Sequence, residues 1–204
     1  MNYPSSTSPF QDSIAHYFET LGTLPRRVCA TDHRAQVIGL DEAFNCIIAD
    51  ARATHAAGNK LMFIGNGGSA GIASHLAIDY CKNGGLRALA LNDSAALTCL
   101  ANDLGYEHVF ATQIEMHGNP GDCLIALSSS GASANILRGV EAARRRGSSV
   151  VTLSGFKADN PLRSRGDINL YVPHEAYGIV EIAHLALCHA MLDLLASPNS
   201  QPLS

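Results

Sequence analysis

The chain has 204 residues, of which 47% are hydrophobic and 16% are charged, and its formal net charge is −4. This length predicts one domain, with or without an arm, and the acidic balance without a long Lys/Arg block argues against nucleic acid as a partner. No basic-then-apolar leader and no run of transmembrane length is recognisable, so we expect a cytoplasmic protein that makes no membrane contact.

The first 40 residues are predicted to form a flexible N-terminus and a helical arm. Residues 1–9 are polar and rich in Pro and Ser, which is typical of disorder. Helical spacing predicts a helix over 11–21, and Pro25 interrupts it, so that a second helix can begin near Arg26. The domain itself is expected over 41–197, with a first helix at about 40–57 and a disordered tail over 198–204.

From Lys60 onward, short apolar segments alternate with segments of helical periodicity. The predicted strands are 61–65, 87–91, 123–128, 149–154 and 168–172, and the predicted helices are about 70–80, 94–102, 106–117, 133–146 and 177–196. This alternation predicts a three-layer α/β/α domain around a five-stranded parallel sheet. Ligands of such sheets bind beyond the carboxyl ends of the strands.

A glycine-rich turn, Gly65–Asn66–Gly67–Gly68–Ser69, follows the first of these strands and leads into a helix. Glycines leave room for a ligand, and the N–H groups and dipole of a helix N-terminus favour an anion. The turn matches neither G-x-G-x-x-G nor a P-loop, so no nucleotide cofactor is expected. Taken alone, the stretch also fits an ordinary strand-to-helix turn.

A serine-rich turn follows the predicted strand 123–128 and again leads into a helix. It reads Ser128–Ser129–Ser130–Gly131–Ala132–Ser133. Its hydroxyls and N–H groups can donate several hydrogen bonds to one phosphate, whereas a plain turn with Ser133 as the helix cap is the alternative. Because two such turns lie at equivalent ends of parallel strands, we expect a phosphate site there.

Two of the predicted helices carry ionisable residues suited to acid–base work or metal ligation. His75 and Asp79 are four apart and share a helix face, although a surface pair is the alternative. The last helix is apolar nearly all round, which predicts burial in the core or in a subunit interface, yet it contains Glu181, His184 and His189. Glu181 and His189 stand roughly 12 Å apart along it, and one of the two histidines is expected to be a hydrogen-bonded core residue.

Several segments, in this order, resemble the sugar isomerase (SIS) family. They are GNGGS at 65–69, TCLANDLGYEHVF at 98–110, SSSGAS followed by AN at 128–135, and VPH at 172–174 before the helix with His189. The resemblance covers about 41–195 and implies a flavodoxin-like fold in a homotetramer, with zinc at the active site of many members. It further implies the isomerisation of a phosphorylated sugar through an enediol, most specifically of sedoheptulose 7-phosphate to D-glycero-D-manno-heptose 7-phosphate.

The resemblance also implies roles for individual positions. Catalysis falls to Asp79 and His189, and Zn²⁺ would be held by His75, Asp79, Glu181 and His189. The implied contacts to phosphate and sugar are Asn66, Gly67, Gly68, Ser69, Asp93, Ser128, Ser129, Ser130 and Ser133. Three positions depart from the family: Asp79 replaces a glutamate, Glu181 replaces a glutamine, and Gly178 stands where an acidic residue is usual.

An enzyme and a binding protein are both compatible with these residues. The presence of His75, Asp79 and His189 favours an isomerase. The alternative is a non-catalytic SIS protein that binds a phosphosugar or acts as an adaptor for another protein. A SIS transcriptional regulator would need a helix-turn-helix domain, which the residues before Asp41, without a basic face, do not supply. The expected partners are a phosphorylated sugar and further copies of the chain, expected as a tetramer.

Overall fold

The computed structural model describes residues 9–197, so the expectations for residues 1–8 and 198–204 lie outside the described residues. The N-terminal part contains α1 (Pro9–Thr23), a 3-10 turn (Leu24–Arg27), β1 (Cys29–Asp32), β2 (Val37–Ile38) and α2 (Leu40–Ala56). The rest of the chain continues with β3 (Leu61–Gly65), α3 (Gly68–Lys82), β4 (Ala88–Ala90), α4 (Ser94–Leu104), a 3-10 turn (Tyr106–His108), α5 (Val109–His117), β5 (Cys123–Ser128), α6 (Ala134–Arg145), β6 (Ser149–Ser154), a 3-10 turn (Pro161–Ser164), β7 (Ile168–Tyr171) and α7 (Tyr177–Ala196).

The strands of the described chain form one sheet in the order β2-β1-β7-β6-β5-β3-β4. The five strands from β3 to β7 are parallel, and their order is that of a flavodoxin-like domain. The predicted five-stranded parallel core is therefore confirmed. Gly65 lies beside Leu127, and Ser128 lies beside Ser154, so that β3, β5 and β6 end at the same edge of the sheet.

The predicted helix over 11–21 is confirmed as α1, but the prediction of a second helix near Arg26 is wrong, because a short 3-10 turn is followed there by β1 and β2, a hairpin that extends the sheet. β1 pairs antiparallel with β7 on one side and with β2 on the other. The turn between them is held by the Asp32 carboxylate, which accepts hydrogen bonds from the N–H groups of Arg34 (2.8 Å) and Gln36 (2.9 Å). Strands of four and two residues are too short to show the alternation that identifies a strand in a sequence.

The two faces of the sheet are covered by different helices. Leu61 and Phe63 of β3 belong to the core beneath α2, α3 and α7, whereas Met62 and Ile64 belong to the core beneath α5 and α6. Every residue of β3 and β5 is consequently buried. This explains why these strands read as unbroken apolar runs rather than as an alternating pattern.

Helix α7 is long and apolar enough to cross a membrane by length and composition alone, so the expectation that no segment reaches that length is wrong. Half of its apolar stretch is buried inside the domain, where it packs against α2 and α3. Ala183, Leu187 and Met191 are among the side chains that it contributes to the core. The buried half of α7 is therefore part of the core of the domain.

Candidate active site

A cavity of about 350 Å³ opens at the carboxyl ends of β3 and β5. Its lining contains every predicted phosphate or sugar contact except Asp93. The lining residues are Asn66, Gly67, Gly68, Ser69, Leu127, Ser128, Ser129, Ser130, Ser133, Tyr177 and Glu181. The two turns that the sequence singled out thus form the walls of one site.

The glycine-rich wall brings a bare helix N-terminus to the cavity. Gly67 has φ +54, a left-handed conformation that favours glycine, and α3 begins at the next residue without a side-chain cap. A Cβ on Gly65 would lie 2.5 Å from the backbone oxygen of Ser69, so only glycine allows this close turn. Among the described residues no side chain caps the first N–H groups of α3, so these groups can donate to an anion.

The serine-rich wall is a tight loop whose hydroxyls are partly unpaired. Gly131, at φ +62, donates its N–H to the carbonyl of Ser128 at 3.0 Å, which closes the loop. The hydroxyl of Ser129 is buried and has no hydrogen-bond partner among the described residues. Ser133 occupies the cap position of α6, yet its side chain makes no capping bond, contrary to the plain-turn alternative. Unpaired hydroxyls at the cavity wall suit a ligand rich in acceptor oxygens.

A second cluster lies further along the same pair of helices. Nε2 of His75 is 3.2 Å from Nε2 of His189 and 3.3 Å from Oδ2 of Asp79, and Nδ1 of His189 is 4.0 Å from that oxygen. One ligand atom from each residue lies within 4.8 Å of the others. His75 and Asp79 come from α3 and His189 comes from α7, so the predicted meeting of these three residues is confirmed.

The geometry of this cluster fits a zinc ion. Two nitrogen ligands at about 2.0–2.1 Å from a tetrahedral Zn²⁺ are about 3.3 Å apart, close to the 3.2 Å between the two Nε2 atoms. Two imidazoles and a carboxylate are also a common zinc ligand set that leaves a position open for water or substrate. These residues can hold such an ion, and the described part of the chain offers no other group of three or more histidine, cysteine or acidic residues at this spacing.

Glu181 does not belong to this cluster, which departs from the predicted ligand set. Its carboxylate packs on the first residue of α3, where a Cβ on Gly68 would lie 2.3 Å from Oε2. Helices α3 and α7 run side by side in the same direction, since Gly68 lies beside Glu181 and His75 lies beside His189. Eight residues of helix separate Glu181 from His189 by roughly 12 Å, so the carboxylate faces the cavity instead of the histidines.

Helix α7 carries two histidines, and His184 is the one that lies in the core. It is fully buried, and its Nε2 lies 3.1 Å from the carbonyl oxygen of Ser154. Burial lowers its pKa to about 4, because the charged imidazolium would lose its hydration there. His184 is therefore a neutral structural group, and His189, which is partly exposed, is the histidine available for chemistry.

Sequence reasoning placed Asp93 at the sugar and Glu181 at the metal, and it did not single out three further residues in or beside the cavity. Asp93 caps α4 by accepting the N–H of Ala96 at 2.9 Å, and it is absent from the cavity lining. Tyr177 lines the cavity, and Asn135 and Tyr106 hydrogen bond to Asn66. Asn135 and Tyr106 lie inside the segments that carried the family resemblance, but a single sequence gives no sign of which side chains meet.

These features define a phosphosugar-binding domain of the SIS class: a parallel sheet with a glycine turn and a serine turn at its carboxyl edge. The chain belongs to the SIS-domain family, whose profile matches residues 16–155. It is 39% identical over 160 residues to a phosphoheptose isomerase of Rhodospirillum rubrum, covering 76% of this chain and 82% of the relative. A phosphoheptose isomerase of Akkermansia muciniphila is 36% identical over 178 residues, covering 79% and 94%.

The structure agrees with this assignment. Phosphoheptose isomerase GmhA from Neisseria gonorrhoeae superposes with a TM-score of 0.78 at 30% identity, covering 91% of this chain and 99% of the other. A phosphoheptose isomerase from Francisella tularensis superposes with the same TM-score at 26% identity, covering 93% and 99%. The resemblance inferred from the short motifs is therefore confirmed over almost the whole chain.

Proposed function

We propose that this protein is an aldose–ketose isomerase of phosphorylated sugars that converts sedoheptulose 7-phosphate to D-glycero-D-manno-heptose 7-phosphate. The observation that carries this proposal is the arrangement along the parallel helices α3 and α7. The cavity between the glycine-rich and serine-rich turns lies where the two helices begin, and the cluster of His75, Asp79 and His189 lies about two turns further along them. Similarity to phosphoheptose isomerases over about three quarters of the chain supports the choice of substrate.

The two parts of the site suit the two ends of such a substrate. The serine loop and the start of α3 supply N–H and hydroxyl donors for the phosphate. The cluster lies roughly 12 Å along the helices, a distance comparable with an extended heptose phosphate whose C–C bonds are about 1.5 Å each. Glu181 lies at the cavity, where its carboxylate can accept hydrogen bonds from sugar hydroxyls.

Isomerisation moves a proton between neighbouring carbons. Asp79 acts as the base that removes the proton alpha to the carbonyl and returns it to the adjacent carbon, and His189 moves protons at the oxygens. The 3.3 Å contact from Oδ2 of Asp79 to Nε2 of His75 helps to keep the carboxylate in place, and Nδ1 of His189 lies 4.0 Å from the same oxygen. One Zn²⁺ per site, held by His75, Asp79 and His189, would polarise the carbonyl oxygen when bound.

We further propose a cytoplasmic homotetramer with each site beside a subunit boundary. Apolar side chains are exposed on the helices around the cluster: Phe18 of α1 is 65% exposed, Ile78 of α3 is 59% exposed and Ile182 of α7 is 45% exposed. Burial of such side chains against another copy would remove apolar surface from water. His75 and His189 are themselves partly exposed, so a neighbouring subunit can complete the site.

The experiment combines activity, binding and mass. The purified protein is mixed with sedoheptulose 7-phosphate, its metal content is measured, and light scattering gives its mass. Conversion to the aldose by a zinc-containing tetramer is the expected result. Tight binding without conversion would instead identify a non-catalytic phosphosugar-binding protein. A protein that neither binds nor converts the sugar would contradict the proposal. A metal-free monomer that converts the sugar would contradict only the proposed zinc and the proposed tetramer.

A further inference from the structure

Asn66, on the turn after β3, is held by two side chains from distant parts of the chain. Its Nδ2 donates to Oδ1 of Asn135 at 2.9 Å, and Nδ2 of Asn135 donates back to Oδ1 of Asn66 at 2.8 Å. The hydroxyl of Tyr106 donates to the same Oδ1 of Asn66 at 3.1 Å. Asn135 is only 3% exposed, whereas Asn66 lines the cavity. The two amides form a closed ring, and Tyr106 braces it from outside.

The backbone determines which way both amides point. Oδ1 of Asn135 accepts the N–H of Ile136 at 3.0 Å. A backbone N–H can only donate, so the amide atom facing it is oxygen. The nitrogen of Asn135 must then face Asn66, and the atom that it meets there must be the oxygen of Asn66. The orientation of Asn66 therefore follows from a contact that does not involve Asn66.

A count of donors and acceptors shows what Asn66 offers to a ligand. An amide oxygen has two lone pairs and an amide nitrogen has two hydrogens. Asn135 and Tyr106 use both lone pairs of the Asn66 oxygen, and Asn135 accepts one of its two hydrogens. One N–H remains. Asn66 is thus presented as a hydrogen-bond donor, although the residue type alone could donate or accept.

We propose that Asn135 and Tyr106 are positioning residues that lock Asn66 as a donor to an acceptor oxygen of the sugar phosphate. This inference rests on the proposed function, because it assigns the polarity of one contact within that site. A ligand that places a lone pair opposite Asn66 completes the network. A ligand that places an N–H there, such as an amino-sugar phosphate, leaves two donors facing each other, which selects against it.

The experiment is a double-mutant cycle on isomerase activity with Tyr106→Phe, Asn66→Ala and the double variant. Tyr106→Phe frees one lone pair of Asn66, so kcat/KM should fall by about 2–10-fold, the range of one neutral hydrogen bond. The same change in the Asn66→Ala background should have almost no effect, because there is no amide left to position. Tyr106 is 54% exposed, so the thermal unfolding midpoint of the Tyr106→Phe variant should equal that of the wild type.

A matched control loses a similar hydrogen bond elsewhere. Ser149→Ala removes the 2.6 Å bond from its hydroxyl to the Asp50 carboxylate, at the beginning of β6 and so at the opposite edge of the sheet from the cavity, and kcat/KM should stay at the wild-type level. If Asn66→Ala turns over too slowly to assay, the cycle is read from dissociation constants for sedoheptulose 7-phosphate measured with chelator present. Equal losses from Tyr106→Phe in both backgrounds, or no loss in either, would overturn the positioning role.

The two proposals fail in distinguishable ways. A wild-type protein that neither binds nor isomerises sedoheptulose 7-phosphate contradicts the proposed function itself. A wild-type protein that is active while the cycle is additive contradicts only the assignment of Tyr106 as a positioning residue for Asn66. A loss of activity from Tyr106→Phe that occurs only when Asn66 is present supports both the proposed function and the positioning role of Tyr106.

Discussion

Substitution of Gly68 by alanine tests whether the carboxylate of Glu181 matters where the structure places it. The new Cβ would lie 2.3 Å from Oε2 and 2.6 Å from Oε1 of Glu181. The carboxylate must therefore move by roughly 1 Å to reach a normal non-bonded separation. A misplacement of that size in an active site can cost on the order of 100-fold in rate, so we expect kcat/KM for the heptose phosphate to fall by about that factor.

The stability of the Gly68→Ala variant should not fall with its activity. Glu181 is a flexible side chain that can swing aside, and alanine is the better helix former by up to about 1 kcal/mol. Gly71→Ala is the matched control on the same helix, because no atom of the described chain lies within 4 Å of the position that its Cβ would take. It should gain similar stability and keep full activity. Thermal melts and steady-state kinetics measure both, and a fully active Gly68→Ala variant would show that the position of Glu181 is irrelevant.

Three further predictions address the phosphate loop, the base and the core histidine. Replacing Ser128 and Ser130 together by alanine should weaken the binding of a sugar phosphate by roughly 100-fold or more in calorimetry, since each hydrogen bond to a charged group is worth about 1.5–3 kcal/mol; unchanged affinity would place the phosphate elsewhere. Asp79→Asn should lower kcat by roughly 10²–10⁴-fold while calorimetry still detects substrate, and normal turnover would move the role of base to another residue. Because burial holds the pKa of His184 at about 4, below the usual 6.5, the unfolded chain takes up a proton first as the pH falls, and stability should decrease by roughly 3 kcal/mol between pH 6.5 and 4. His184→Gln keeps a donor toward Ser154. Chemical denaturation at several pH values should show that the free energy of unfolding of this variant falls less steeply with acid than that of the wild type. The same dependence on pH in both proteins would show that His184 is not its cause.

The parallel core of the fold could be predicted from the sequence because its signals are local. An unbroken apolar run such as 61–64 marks a strand buried on both faces, and the glycines after it mark the turn. The hairpin of β1 and β2 could not be predicted in this way. Its strands are short, and pairing with β7, more than 130 residues later in the chain, is what makes them strands.

The site was predictable wherever a residue type and its backbone element decided the outcome. The serine loop and the His75–Asp79 pair follow from a turn and from helical spacing. The position of Glu181 could not be read from spacing, because it depends on the side-by-side packing of α3 and α7. The same packing brings His189 to His75. Contacts between helices are set by tertiary structure, so helical spacing alone does not join His189 to His75 and Asp79, and that part of the prediction came from the family resemblance.

The measurement that tests the central claim most directly is a proton NMR time course of sedoheptulose 7-phosphate in D₂O with the purified protein, with and without chelator. An isomerase that works through an enediol must produce the aldose 7-phosphate. Solvent deuterium enters at the carbon next to the carbonyl whenever the proton held by the base exchanges with D₂O before it is returned. We predict both, and we predict that chelator slows both. Ketose signals that stay unchanged and undeuterated while the protein binds the sugar phosphate would contradict the assignment of this site as an isomerase.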